Sequence, residues 1–154
     1  VCVLIFLMNR LCLLLLCSYT NCVFSLFKLN HYGNLDNILI NMGKSLTHRL
    51  TCPSHVNSCE LLVSDLFKYH NYIADIYELL KDRNNENQIE GKRLYKIVAE
   101  NGGPITLRIK IDYEKLEEIY NWKDDDTKEA MEEAVEETED LWMRIQQKAE
   151  KVKI

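Results

Sequence analysis

CELLVSDLFKYHNYIADIYELLK, residues 59–81, sets the pattern for everything around it. Leu62, Leu66, Ile73, Ile76, Tyr77 and Leu80 recur at intervals of three, four and seven, the signature of an amphipathic helix. Ser58 stands where an N-cap belongs, and Glu60 falls in the first turn, where the helix dipole favours negative charge. The polar run DRNNEN at 82–87 closes this helix as a loop. A second helix fits 89–101, with Leu94, Ile97 and Val98 on one face and Gly102 placed for a left-handed C-cap.

Downstream the period changes. Ile105, Leu107, Ile109 and Ile111 alternate with Thr106, Arg108, Lys110 and Asp112 behind Pro104, which predicts a strand over 105–111. A strand needs a ladder partner, supplied either by the region 35–42 or by another chain. The helical period returns at Tyr113, Leu116, Ile119 and Tyr120, then again in a long helix over 127–151. There Met131, Ala134, Thr138, Leu141 and Ile145 form a stripe at heptad-like spacing, with Trp142 beside it. The expected fold is mainly α: about four helices in a small bundle with one short β element, preceded by an apolar N-terminal segment.

Upstream, residues 28–58 hold Asn30, Gly33, Asn34, Asp36, Asn37, Asn41, Gly43 and Pro53 and read as a turn-rich linker, with a short apolar element at 35–42. Residues 1–27 are the most biased part. VCVLIFL at 1–7 and LCLLLLC at 11–17 flank Met8-Asn9-Arg10. Read from Met8, Arg10 is a positive n-region, 11–17 an apolar h-region, and Val23 and Ser25 the small residues of a cleavage site, so the segment is a signal peptide. The rivals are a retained membrane anchor over 11–27 and a buried core helix. The domains expected are therefore 1–27 signal peptide or anchor, 28–58 linker and 59–154 helical domain.

A length of 154 residues with 47% hydrophobic and 28% charged content fits one domain and excludes collagen-like, linker-like and fully disordered chains. Of six cysteines, Cys2, Cys12, Cys17 and Cys22 lie in the apolar segment. Cys52 and Cys59 remain, and in an exported chain such a pair invites a disulfide. Two thiols without a bridge are the competing reading. The third is zinc: His48, Cys52, His55 and Cys59 place four imidazole and thiolate ligands within twelve residues, a weak candidate set because the spacing matches no structural zinc pattern. No other cofactor is expected.

The net charge of −5 is unevenly spread. Residues 112–140 hold 14 acidic side chains and three lysines, or −11; with −5 for the whole, the remainder carries +6. Acids open the long helix, and Arg144, Lys148, Lys151 and Lys153 close it, the order its dipole favours. That pattern reads as a solvated face, as a docking surface for a basic protein partner through Glu132, Glu133, Glu136, Glu137 and Trp142, or, through Asp124-Asp125-Asp126, as a calcium cluster lacking the EF-hand glycine.

LYKIVAENGGPI at 94–105 resembles a stretch of winged-helix regulators and the helix end of ARID domains. The resemblance covers 12 residues and implies a DNA-reading helix downstream. That helix carries Glu129, Glu132, Glu133, Glu136, Glu137 and Glu139, whose charge opposes a phosphate backbone, so no nucleic-acid partner is expected. Catalytic signals are sparse as well. His70, near Asp65, Lys68 and Tyr69, has no nucleophile motif beside it; no Glu-x-x-His occurs, and Gly102-Gly103 lacks a phosphate-binding context. No catalytic residue is assigned, and enzymatic function is not expected. The expected function is an interaction protein or accessory subunit of a membrane-associated or extracytoplasmic assembly, secreted or membrane-anchored through residues 1–27. The alternative is a winged-helix-like DNA-binding regulator starting at Met42 and located in the cytoplasm.

Overall fold

Leucine spacing builds the first helix, α1 (Leu35–Thr51). Leu35, Leu39, Leu46 and Leu50 are buried along one face, with Gly43 between them. The computed structural model describes residues 34–52, 59–122 and 125–153. The segment 1–27 and the Ser58 cap lie outside the described residues. The chain divides near Leu35, and the unit Asp36–Ile154 is the one described below.

Helix α1 replaces the turn-rich linker expected over most of 28–58. Its asparagines and Gly43 are poor helix formers, but the four-four-three-four spacing of Leu35, Leu39, Gly43, Leu46 and Leu50 outweighs that propensity. The hydroxyls of Thr47 and Thr51 donate back to the carbonyls of Gly43 and Thr47 at 2.7 and 2.8 Å, the intrahelical bonds open to these residues. Asp36 at one end pairs with Arg93 at 3.3 Å, and Arg49 at the other pairs with Asp65 at 2.6 Å.

Helix α2 (Cys59–Lys81) is the central element, burying Leu62, Leu66, Tyr69, Ile73, Ile76, Leu79 and Leu80. Helix α3 (Asn85–Glu100) begins four residues before the sequence expectation, because the polar run supplies caps. The Asn84 side chain accepts the N–H of Glu86 at 2.9 Å, and Asp82 accepts from Asn84 and Asn87. Gly91 sits where α3 meets α2: a Cβ there would lie 2.9 Å from Leu79 Cβ and 3.0 Å from the Leu80 backbone nitrogen. The helix ends as expected, with Gly102 and Gly103 at φ of 89° and 87° and their N–H groups donating to the carbonyls of Ala99 and Val98.

The strand expected at 105–111 is corrected. Ile105–Arg108 is one helical turn, α4, and the described residues contain no strand. Pro104, extended at φ −60° and ψ 153°, leads into that turn. Burial explains the change: Ile105 and Thr106 are both inside while Leu107 is 51% exposed, which an alternating strand would not allow. Helix α5 (Tyr113–Tyr120) is capped by Asp112, whose carboxylate accepts from the Lys115 N–H, and it buries Leu116. Helix α6 (Asp125–Ala149) then lies along α2, its main neighbour, and also touches α3 and α4. Its buried stripe is Met131, Ala134, Thr138, Trp142, Ile145 and Ala149; Leu141 is only half-buried. Burying each large apolar member contributes about 1.5–3 kcal/mol. The mainly helical bundle is thus as expected, with five helices of eight residues or more among the described residues. None of the described helices is long and apolar enough to cross a membrane.

Candidate interaction surface

The buried stripe of α6 fixes what the opposite side displays. Glu129, Glu133, Glu136 and Asp140 recur at four, three and four, half a turn away from Met131, Ala134, Thr138 and Ile145, and all four are exposed. Met143 continues that line at 53% exposure. Among the described residues no Lys or Arg pairs with these four carboxylates.

The flanks of the stripe are engaged with neighbours. On one side stands Tyr113 of α5, whose hydroxyl pKa is raised by partial burial and then by the charges of Glu132, Glu139 and Glu136. On the other side His70 of α2 faces Glu137 across 3.8 Å, beyond hydrogen-bond range but within charge-pairing range when the imidazole is protonated. His70 Nδ1 also lies 3.2 Å from Thr138 Oγ1. The Thr138 hydroxyl donates to the Ala134 carbonyl at 2.6 Å, so its oxygen is left to accept and Nδ1 carries the proton. His70 is therefore a joint between α2 and α6, without a described nucleophile beside it.

Of the residues expected to form the acidic docking surface, Glu133, Glu136 and Glu137 are exposed and Glu132 is half-buried. Trp142 is corrected: it is 2% exposed, and its ring lies 5.2 Å from that of Tyr95 on α3. The heptad reading of the sequence put Leu141 in the seam, but Trp142 takes the position facing α3. Glu129, Asp140 and Met143 complete the outer line and were missed. The four-three-four spacing of the acids, parallel to the apolar stripe, is the signal that finds them.

The cysteine and histidine candidates fall where α1 ends and α2 begins. His48 is exposed on the last turns of α1, Cys52 is exposed just after that helix, and Cys59 is half-buried at the start of α2. His55 lies outside the described residues. Among the described residues no three His, Cys, Asp or Glu side chains converge as a metal set. Comparison with protein-family models, with curated proteins and with solved structures finds no match for this chain.

Proposed function

We propose that this chain is a non-enzymatic interaction protein that receives a basic, partly apolar segment of a protein partner along the outer line of α6. Glu129, Glu133, Glu136 and Asp140 supply the charge and Met143 an apolar contact at the end of the row. One observation carries the reading: four exposed carboxylates in a single line, none of them ion-paired among the described residues. Like charges three and four apart on one helix face destabilise it by a few tenths of a kcal/mol per pair, and an opposing basic surface relieves this. The apolar residues 1–7 and 11–17 support a second part of the proposal, that the partner belongs to a membrane-associated or extracytoplasmic assembly.

The test reverses Glu129, Glu133, Glu136 and Asp140 to Lys in the full chain. Neighbours are then quantified after crosslinking in native membranes, at low salt and at about 0.5 M, where the screening length falls below about 5 Å. The expected result is loss of the same neighbours in the variant and in high salt, with far-UV circular dichroism nearly unchanged. A variant that keeps every neighbour at full yield refutes the proposal.

A further inference from the structure

Helices α1, α2 and α3 and the α4 turn line a small, partly open pocket of about 90 Å³. Its apolar wall is Leu39 and Ile40 of α1 with Ile97 and Val98 of α3. Its polar rim differs from the rest of the molecule in supplying donors. Tyr69, only 2% exposed, reaches it from α2, and its phenolic oxygen accepts the Ile105 N–H over a long 3.4 Å. The phenol's own proton has no acceptor among the described residues, and buried hydroxyl protons are normally satisfied. Lys44 and Arg108 complete the rim, and neither pairs with a described carboxylate. The remaining polar side chain, Asn101, has its amide nitrogen engaged with the Ile97 carbonyl at 2.8 Å.

Two glycines hold Arg108 at this rim. Its Nη2 lies 3.8 Å from where a Cβ on Gly43 would stand, and its Cδ lies 3.0 Å from the corresponding point on Gly102. The arginine stem thus passes between a side-chain-free position in α1 and the glycine turn after α3. The lining thus combines two exposed basic residues, Arg108 and Lys44, and the buried Tyr69 with aliphatic side chains from α1 and α3. Such a combination, a few convergent polar groups on an apolar cavity, is what fixes and orients a small ligand.

We propose that this cavity binds a short aliphatic carboxylate, with its carboxylate toward Arg108, Lys44 and the Tyr69 hydroxyl and its chain against Leu39, Ile97 and Val98. At roughly 30 Å³ per water molecule the volume matches about three waters, so the carboxylate and the first carbons fill it and the end of a short chain extends through its open side. Guanidinium and ammonium donors favour an anion, and charge-assisted bonds to a carboxylate are about twice as strong as neutral ones. The site is separate from the acidic line of α6, so either reading can fail without the other.

The full chain, labelled with ¹⁵N, is titrated with butyrate, with butylamine as a probe of the same body and opposite charge, and with inorganic phosphate. Butyrate is expected to shift the amides of Lys44, Gly103, Ile105 and Arg108 saturably, with a dissociation constant on the order of 1–10 mM for a ligand of this size. Arg108→Gln, an exposed substitution, should weaken it about tenfold or more, and Tyr69→Phe about fivefold. Reversal of the α6 acids should leave it unchanged. No saturation by about 50 mM, an equal response to butylamine, or undiminished binding by Arg108→Gln overturns the proposal. Phosphate binding as tight as butyrate overturns the aliphatic part of it.

Discussion

Replacing a mid-helix glycine with alanine ordinarily stabilises a helix by about 1 kcal/mol, through propensity and a less mobile unfolded chain. Gly91→Ala should do the opposite here. The added methyl would meet Leu79 Cβ at 2.9 Å, Leu80 Cγ at 3.0 Å and the Leu80 backbone nitrogen at 3.0 Å. Two of those atoms belong to or adjoin the backbone of α2, so α2 and α3 must part by several tenths of an ångström. Overpacking of this kind costs typically 1–3 kcal/mol, and a backbone obstacle places it near the upper end. Subtracting the propensity gain leaves a loss of about 1–2 kcal/mol. Gly43→Ala is the matched control. Its nearest obstacle is the Ile105 Cγ2 methyl at 3.3 Å, the end of a side chain that can shift, so the net effect should be neutral or slightly stabilising. For a domain of this size, thermal melts followed by circular dichroism should show Gly91→Ala about 4–8 °C below wild type and Gly43→Ala at or just above it. If both substitutions raise the midpoint, the close approach of α2 and α3 is not the reason for Gly91.

Further outcomes follow from the polar joints. Asp65→Asn should cost about 2 kcal/mol, because Arg49 keeps only 12% of its side chain exposed and its Nε and Nη2 already lack acceptors; urea unfolding measures this. Burial opposes ionisation of Asp65, but hydrogen bonds from Lys68 and Arg49 outweigh it and hold the carboxyl below its usual 3.8. A depressed pKa contributes stability above the unfolded value that is lost as pH falls through the folded one. The wild type should therefore lose this contribution below about pH 3.8, and Asp65→Asn should flatten that part of the acid limb. Thr138→Val should cost about 1 kcal/mol by removing the acceptor of His70 Nδ1. In the wild type, ¹⁵N shifts of the ring should report the proton on Nδ1 of the neutral imidazole.

Sequence periodicity exposed the helices wherever apolar residues outnumber helix breakers. That holds for α2 and α6, whose buried residues follow the three–four spacing almost throughout. It failed at α1, where asparagines and a glycine hide a leucine period that only the tertiary contacts reward. It failed again at 105–111, because strict alternation over seven residues carries no information about whether a ladder partner exists. The acids of α6 were legible as charge, but which of them face outward depends on which neighbour takes each flank. Tyr113 and His70 settle that, and both are separated from α6 in sequence. Nothing in the local pattern of Tyr69, Lys44 and Arg108 announces a cavity, since the three come from three elements brought together by packing.

The partnership of α2 with α6 has a consequence for how the chain is made. Ala149 follows Lys81 by 68 residues. At translation rates of about 5–20 residues per second, α2 waits roughly 3–14 s before the helix that covers it has been synthesised. Through that interval Leu62, Leu66, Ile73 and Ile76 have only the elements made before α6, namely α1, α3, α4 and α5, to shelter them. The nascent chain is then a greasy hairpin on the ribosome, suited to capture by a chaperone, and the core closes only after α6 emerges.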